Sequence, residues 1–428
     1  MTSTSPARAG GGDGGRRQAA MPFIMVTVLI DMVSIGLIIP VLPPLVGTFT
    51  ASPAEQAFWY GAVTIVFGIA NFFASPILGR LSDRYGRRPV LLLGFSGLAL
   101  SFLVTGLATA LWMLLVVRLF SGAMQSNVAV ANAYVADITP PAERAKAFGK
   151  LGAMIGMGFI LGPVLGGLLG GISLNLPFFV AAGGALVNWL YGFFVLPESL
   201  PAERRRPFVL REANPVSSLR NLTALHGIGP LVAVIALSGL AQFMTHTCWV
   251  LYTTFKFGWG PTQNGWSLFA IGLMSVLVQG VLLSRLLKRF SPQRLAVLGL
   301  VSSSVCYVLW GVATEGWMLY AVIGLNVLGF TVAAAIQSIV SNAADPTTQG
   351  RTAGAVGSLN SMMAVLAPAI GTPLLAVVSQ FPRGDWRIGA PFYFCSLLQL
   401  AATLLAVRHF RRQRRSGALA TAGATPST

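Results

Sequence analysis

The sequence predicts an all-α membrane protein, with twelve transmembrane helices in two pseudo-symmetric six-helix bundles, and three observations lead there. Of 428 residues, 54% are hydrophobic and only 10% charged, more apolar surface than one soluble core can bury. The apolar residues come in long continuous runs instead of the short alternating segments of a β-barrel. The two halves also echo each other. RLFSGAMQSNVAVANAYVADITPPAERAKAFG matches LNVLGFTVAAAIQSIVSNAADPTTQGRTAG, with Gly122 opposite Gly329, Asp137 opposite Asp345 and Gly149 opposite Gly354.

A helix needs about 20 apolar residues to cross roughly 30 Å of hydrocarbon. On that basis the first six spans fall near 22–46, 57–79, 90–108, 110–136, 147–172 and 176–196. The second six fall near 229–257, 262–284, 293–313, 316–342, 351–380 and 389–407. Residues 1–21, rich in Gly, Ala and Ser, read as a disordered tail before an uncleaved first helix. Residues 22–196 and 229–408 form the two bundles, 197–228 a polar linker and 409–428 a basic tail.

Charge orients the chain. If the N-terminus is cytoplasmic, 25 of the 29 Lys and Arg lie in cytoplasmic tails and loops, so both termini are expected inside. The net charge of +17 is spread between spans and forms no stripe beside stacking aromatics, which points to anionic lipid headgroups and away from nucleic acid. Cys248, Cys306 and Cys395 sit in apolar stretches and support neither a disulfide nor a metal site. No nucleophile–base constellation, phosphate loop or metal spacing is present, so neither an enzyme nor a cofactor is expected.

Two charges lie inside spans. Asp31 is the one carboxylate well within the uncharged run Pro22 to Val46, and a charge at that depth is normally kept for a partner or a watery cavity. Arg118 lies in the fourth span, and Arg118, Gln125 and Asn132 recur every seven residues on one helical face. At ~1.5 Å per residue the depths of Asp31 and Arg118 differ by only about 5 Å, which permits a pair, direct or through water. Protonation of Asp31 would then release Arg118.

The second half carries a different polar face. Gln242, Thr245, His246 and Trp249 follow a helical spacing on the seventh span, and Ser275 and Gln279 share a face of the eighth. With Gln125 and Asn132 they form the expected substrate cavity, while Asn326, Gln337, Ser358 and Ser361 are weaker candidates.

Between the second and third spans runs Gly79-Arg80-Leu81-Ser82-Asp83-Arg84-Tyr85-Gly86-Arg87-Arg88-Pro89. Its spacing resembles the loop signature of the major facilitator superfamily, and the likeness extends over nearly the whole chain. The resemblance implies a gate on the cytoplasmic side, in which Asp83 accepts from the N-terminus of the eleventh helix near Arg351 in the outward-facing state. Gly158, Gly162, Pro163, Gly166 and Gly167 of the fifth span resemble the signature of the drug:proton antiporter branch. The first span, with WMLLVVRLFSG, TCWVLYTTFKFGW and TEGWMLY, is most similar to the tetracycline efflux subgroup.

That resemblance implies a monomeric bacterial inner-membrane protein that exports a small-molecule drug in exchange for a proton, with the proton gradient as energy source. One departure bears on substrate. Where the subgroup carries a histidine in the eighth span and an aspartate in the ninth, this chain has Ser275 and Ser303. Coupling would then fall on Asp31. The alternatives are a transporter of one dedicated metabolite and a non-transporting receptor that has kept the fold.

Overall fold

The computed structural model describes residues 13–125, 127–205, 207–208, 229–343 and 349–422. Among these residues every regular element is helical. Eleven helices are long and apolar enough to cross a bilayer, and there are twelve spans once Gly316–Leu325 and Gly329–Ile339, bent by 55°, count as one.

Local sequence explains where the spans begin. Ser52 accepts from the Glu55 amide at 3.2 Å while the Glu55 carboxylate accepts from the Ala51 amide at 2.8 Å, so the second span, Pro53–Tyr85, starts with both amides satisfied. Proline opens the second, eighth and ninth helices, where its missing N–H costs nothing.

Three expected boundaries move. The first helix runs Asp13–Ile38, so the described residues 13–21 are helical where a disordered tail was expected; Arg16 to Ala20 are good helix formers. It stops before Pro40, and a separate turn of helix, Leu42–Gly47, completes the span. The last helix, Ala390–Ala422, continues through much of the expected basic tail. Most of the expected linker, 209–228, lies outside the described residues, as do 1–12 and 423–428.

The fourth and tenth spans are both broken. The fourth is Leu111–Met124 followed by Asn127–Ile138, and the tenth is Gly316–Leu325 followed by a 3-10 turn, Gly329–Thr331, and Val332–Ala343. These breaks occupy corresponding places in the two halves. The eighth span, Pro261–Leu277, passes through a π-helical turn, Val278–Leu282, before ending as Leu283–Arg289.

Each half packs around its own apolar clusters, such as Ile24, Phe95 and Tyr134 in the first and Trp249, Tyr252 and Phe392 in the second. Exposed apolar side chains such as Leu100, Leu103, Val301 and Val305 cover the outside of the spans, as a lipid-facing surface requires. The free cysteines are buried in packing positions.

The halves meet along the second and eleventh spans and along the fifth and eighth. A Cβ on Gly61 would lie 2.0 Å from Thr372 Oγ1, and one on Gly167 would lie 2.6 Å from Pro261 O. These contacts cluster at the end away from the basic loops. Toward the basic end, a Cβ on Gly149, Gly152 or Gly156 of the fifth span, Gly280 of the eighth or Gly357 of the eleventh would meet nothing within 4 Å. Among the described residues the seam is closed at one end and open at the other.

Candidate functional site

Asp31 is 3% exposed, and its Oδ1 accepts from Asn127 Nδ2 at 3.2 Å. Asn127 is the first residue of the helix that resumes after the break in the fourth span. The break is held open by another amide. Asn71 of the second span donates to Gln125 O at 2.6 Å and to Gly122 O at 3.4 Å, the latter also accepting from the Gln125 amide. An unsatisfied carbonyl would cost several kcal/mol in an apolar setting. Glycine at position 94 leaves room for Asn127, since a Cβ there would sit 2.0 Å from Asn127 Oδ1.

Arg118 does not pair with Asp31 in this conformation. Its guanidinium lies over the Phe67 ring at 5.9 Å and its Nε is buried without a hydrogen-bond partner. The expected pairing rested on depth alone, and depth does not say which way a side chain turns: Arg118 faces the second span, over Phe67. The interruption at Gln125 lets Asn127 reach the carboxylate instead. It also removes the expected seven-residue stripe. Asn132 is exposed and bonds back to Val128 O at 2.8 Å, and neither Gln125 nor Asn132 lines the cavity described next.

A cavity of about 320 Å³ lies within the second half. Gln242, Thr245, His246, Ser275 and Gln279 line it, as the sequence led one to expect, and Gln279 donates to Ser275 Oγ at 2.7 Å. The weaker candidates Asn326 and Gln337 line it too. Trp249 does not. Its Nε1 donates to Ser267 Oγ at 2.9 Å and its ring packs edge-on against Trp310, placing it in the core of the half. Helical spacing had put it on the polar face without knowing its partner on the eighth span.

The sequence reading missed Gln399, Asn360, Tyr307 and the direct presence of Ser303 in the wall. Gln399 was findable as the one polar residue in the run Leu397 to Leu400 of the last span. It is 3% exposed, and its Oε1 has no hydrogen-bond partner.

The basic loop is tied to its own half. Arg87 pairs with Asp83 at 2.6 Å and with Asp137 at 3.0 Å, and donates to Ser82 Oγ. The Glu198 carboxylate accepts from the backbone amides of Arg87 at 2.8 Å and Arg88 at 3.3 Å, occupying the anion-favouring N-terminus of the third span. Arg88 also donates to the carbonyls of Gly192 and Phe193. Gly86 has φ +109°, and a Cβ there would run into Glu198. Gly79, Arg80 and Asp83 border a shallow hollow against the fourth span, and Arg84 lies over the Tyr85 ring. The expected contact between Asp83 and the eleventh helix cannot be drawn at Arg351, whose side chain lies outside the described residues.

The glycine motif of the fifth span has two faces. A Cβ on Gly158 would meet Met32, one on Gly162 would meet Gly36 Cα at 2.6 Å, and one on Gly166 would meet Leu37 O, all on the first span. Gly167 and the Pro163 carbonyl face the other way, toward Gly265 across the seam, while the Pro163 ring lies against Gly36. Thr262 adds a hydrogen bond to Gly167 O at 3.1 Å.

Comparison with known proteins agrees with this architecture. The family model described as Major Facilitator Superfamily matches residues 24–368 and 231–426. The tetracycline resistance protein of class C from Escherichia coli is 36% identical, over 88% of this chain and 95% of its own length. The class D protein of Salmonella ordonez is 34% identical over 89% and 98%, and multidrug resistance protein 2 of Bacillus subtilis (strain 168) is 28% identical over 88% and 92%. Among solved structures, the nucleoside transporter NupG superposes with a TM-score of 0.72 at 14% identity, covering 91% of this chain and 99% of that one. The human organic anion transporter MFSD10 (TETRAN) gives 0.67 at 24% identity over 91% and 99%. These likenesses concern the fold alone.

Proposed function

Because the chain belongs to the major facilitator superfamily, where its tetracycline resistance relatives reach 36% identity, we propose that it exports drug-like solutes from bacterial cells in exchange for protons, by alternating access. The observation that carries the coupling is Asp31. It is a carboxylate at membrane depth whose hydrogen-bond donor is a neutral amide, and among the described residues no cation pairs with it. Insertion scales put an unpaired charge at such a depth about 3 kcal/mol uphill, so a carboxyl kept there needs a partner or a path to water.

Each remaining part then has a role. Asn127 orients Asp31, and Arg118 keeps a free Nε able to take an acceptor when the proton leaves. The positive-inside asymmetry makes the basic end cytoplasmic, so the seam stands open to the cytoplasm and closed toward the periplasm. In this conformation Asp83 is held by Arg87. It is released to the eleventh helix as the cytoplasmic side shuts. The protein works as a monomer in the inner membrane with no bound cofactor.

Vesicle transport tests the reading. Purified protein reconstituted with an imposed proton gradient should concentrate a fluorescent or radiolabelled antibiotic and release protons in step with it. Asp31→Asn should remove the coupled flux while leaving the protein folded.

A further inference from the structure

We infer that the cavity of the second half takes its substrate as an uncharged, metal-free solute that donates hydrogen bonds, an inference that rests on the export reading above. Among the described residues its lining contains no Asp, Glu, Lys or Arg. The polar groups are hydroxyls, carboxamides and the imidazole of His246, chiefly Gln242, Gln279, Asn326, Gln337, Asn360 and Gln399. A cation entering here, organic or a cationic metal chelate, meets no carboxylate, and an anion meets no ammonium or guanidinium. Either would lose hydration that neutral dipoles and ring faces return only in part. A neutral solute has only its polar groups to satisfy, and carboxamides offer both donors and acceptors.

Gln399 Oε1 gives the site its direction. It lies in the wall beside the Tyr307 side chain, is buried, and among the described residues its Oε1 has no hydrogen-bond partner, whereas buried acceptors are ordinarily hydrogen-bonded. A solute N–H or O–H placed against it satisfies it. A site of this kind strongly rejects an analogue that lacks the donor, because the amide oxygen is then sealed in unbonded.

The backbone is shaped to the same end. The π-helical turn Val278–Leu282 carries Gln279 into the wall, a kind of irregularity often found at functional sites. Across from it lies the 3-10 turn of the broken tenth span, beside Asn326. Phe243, Trp310 and Phe330 supply flat apolar walls, and the volume is that of a small drug-binding pocket.

Equilibrium binding to purified, detergent-solubilised protein tests the inference without any gradient. Three probes suffice: chloramphenicol, which is neutral and carries an amide and two hydroxyls; tetraphenylphosphonium, a permanent cation; and tetracycline with Mg2+ or with EDTA. Saturable chloramphenicol binding is expected, at least tenfold tighter than tetraphenylphosphonium, and Mg2+ should bring no gain for tetracycline. Gln399→Leu should weaken chloramphenicol about tenfold. Ser303→Asp, which places a carboxylate in the wall, should reverse the preference toward the cation. Absence of chloramphenicol binding, equal or tighter binding of the cation to the unaltered protein, a requirement for Mg2+, or indifference to Gln399→Leu would each overturn it. These results bear only on the substrate. Failure of the export reading would show separately, as proton flux that ignores Asp31.

Discussion

Asn127 donates to Asp31 across 3.2 Å, and so joins the break in the fourth span to the middle of the first. The bond makes the carboxylate's geometry depend on the fourth span keeping its interruption. Replacing Asn127 with Leu should leave the carboxyl without this donor and slow coupled transport about tenfold, equivalent to ~1.4 kcal/mol, with substrate affinity in detergent unchanged. Initial-rate transport alongside equilibrium binding separates the two.

Gly86→Ala should destabilise the protein by about 1–2 kcal/mol through backbone strain, and by more through collision with Glu198. Glu198→Gln should cost about 1 kcal/mol or more, since the two amides use different carboxylate oxygens, one of which becomes an NH2 that cannot accept, and the charge that suits a helix N-terminus is lost. Thermal unfolding in detergent measures both.

Gly162 and Gly167 lie five positions apart in sequence but predict different failures. Gly162→Val should wedge the first span from the fifth and abolish folding or insertion. Gly167→Ala should act on the seam alone, pushing against Pro261 and shifting the protein toward the opposite-facing state. Distances between spin labels on the far ends of the fifth and eighth spans should lengthen in the second variant, while its yield stays near that of the unaltered protein.

Much of this was legible in advance because hydropathy and positive charge are local. The run from Pro22, the loop from Gly79 to Pro89 and the Gly158–Gly167 motif each carry their meaning within a dozen residues. The fourth-span break was not legible. No proline marks Gln125, and the amide that stabilises the break, Asn71, lies 54 residues away. The direct Asp31–Arg118 contact failed for another reason: depth in the bilayer does not tell which way a side chain turns. Trp249 failed because spacing reports a face but not a partner, here Ser267. Glu198 escaped notice because its charge looked like one more loop residue until the fold brought it 111 positions back to Arg87.

One pH effect lies outside the membrane. Asp385 accepts from Arg387 at 2.7 Å and from its backbone amide at 2.8 Å, and these bonds hold its carboxyl below the ordinary aspartate value of 3.8. A depressed carboxyl contributes stability that is full above 3.8 and fades as the pH falls through the lowered value. The group is exposed, so the effect is small. Asp385→Asn should lower the unfolding temperature slightly at pH 7, and the difference should close in strong acid.

Asp31 is held to carry, through the first half, the proton exchanged for the exported substrate. Substrate-evoked proton movement in vesicles, recorded with a pH-sensitive dye for the unaltered protein and for Asp31→Asn, tests it most directly. The account predicts that the variant still binds chloramphenicol in detergent but moves no protons when substrate is added and builds no substrate gradient. Proton flux and accumulation equal to those of the unaltered protein would contradict it.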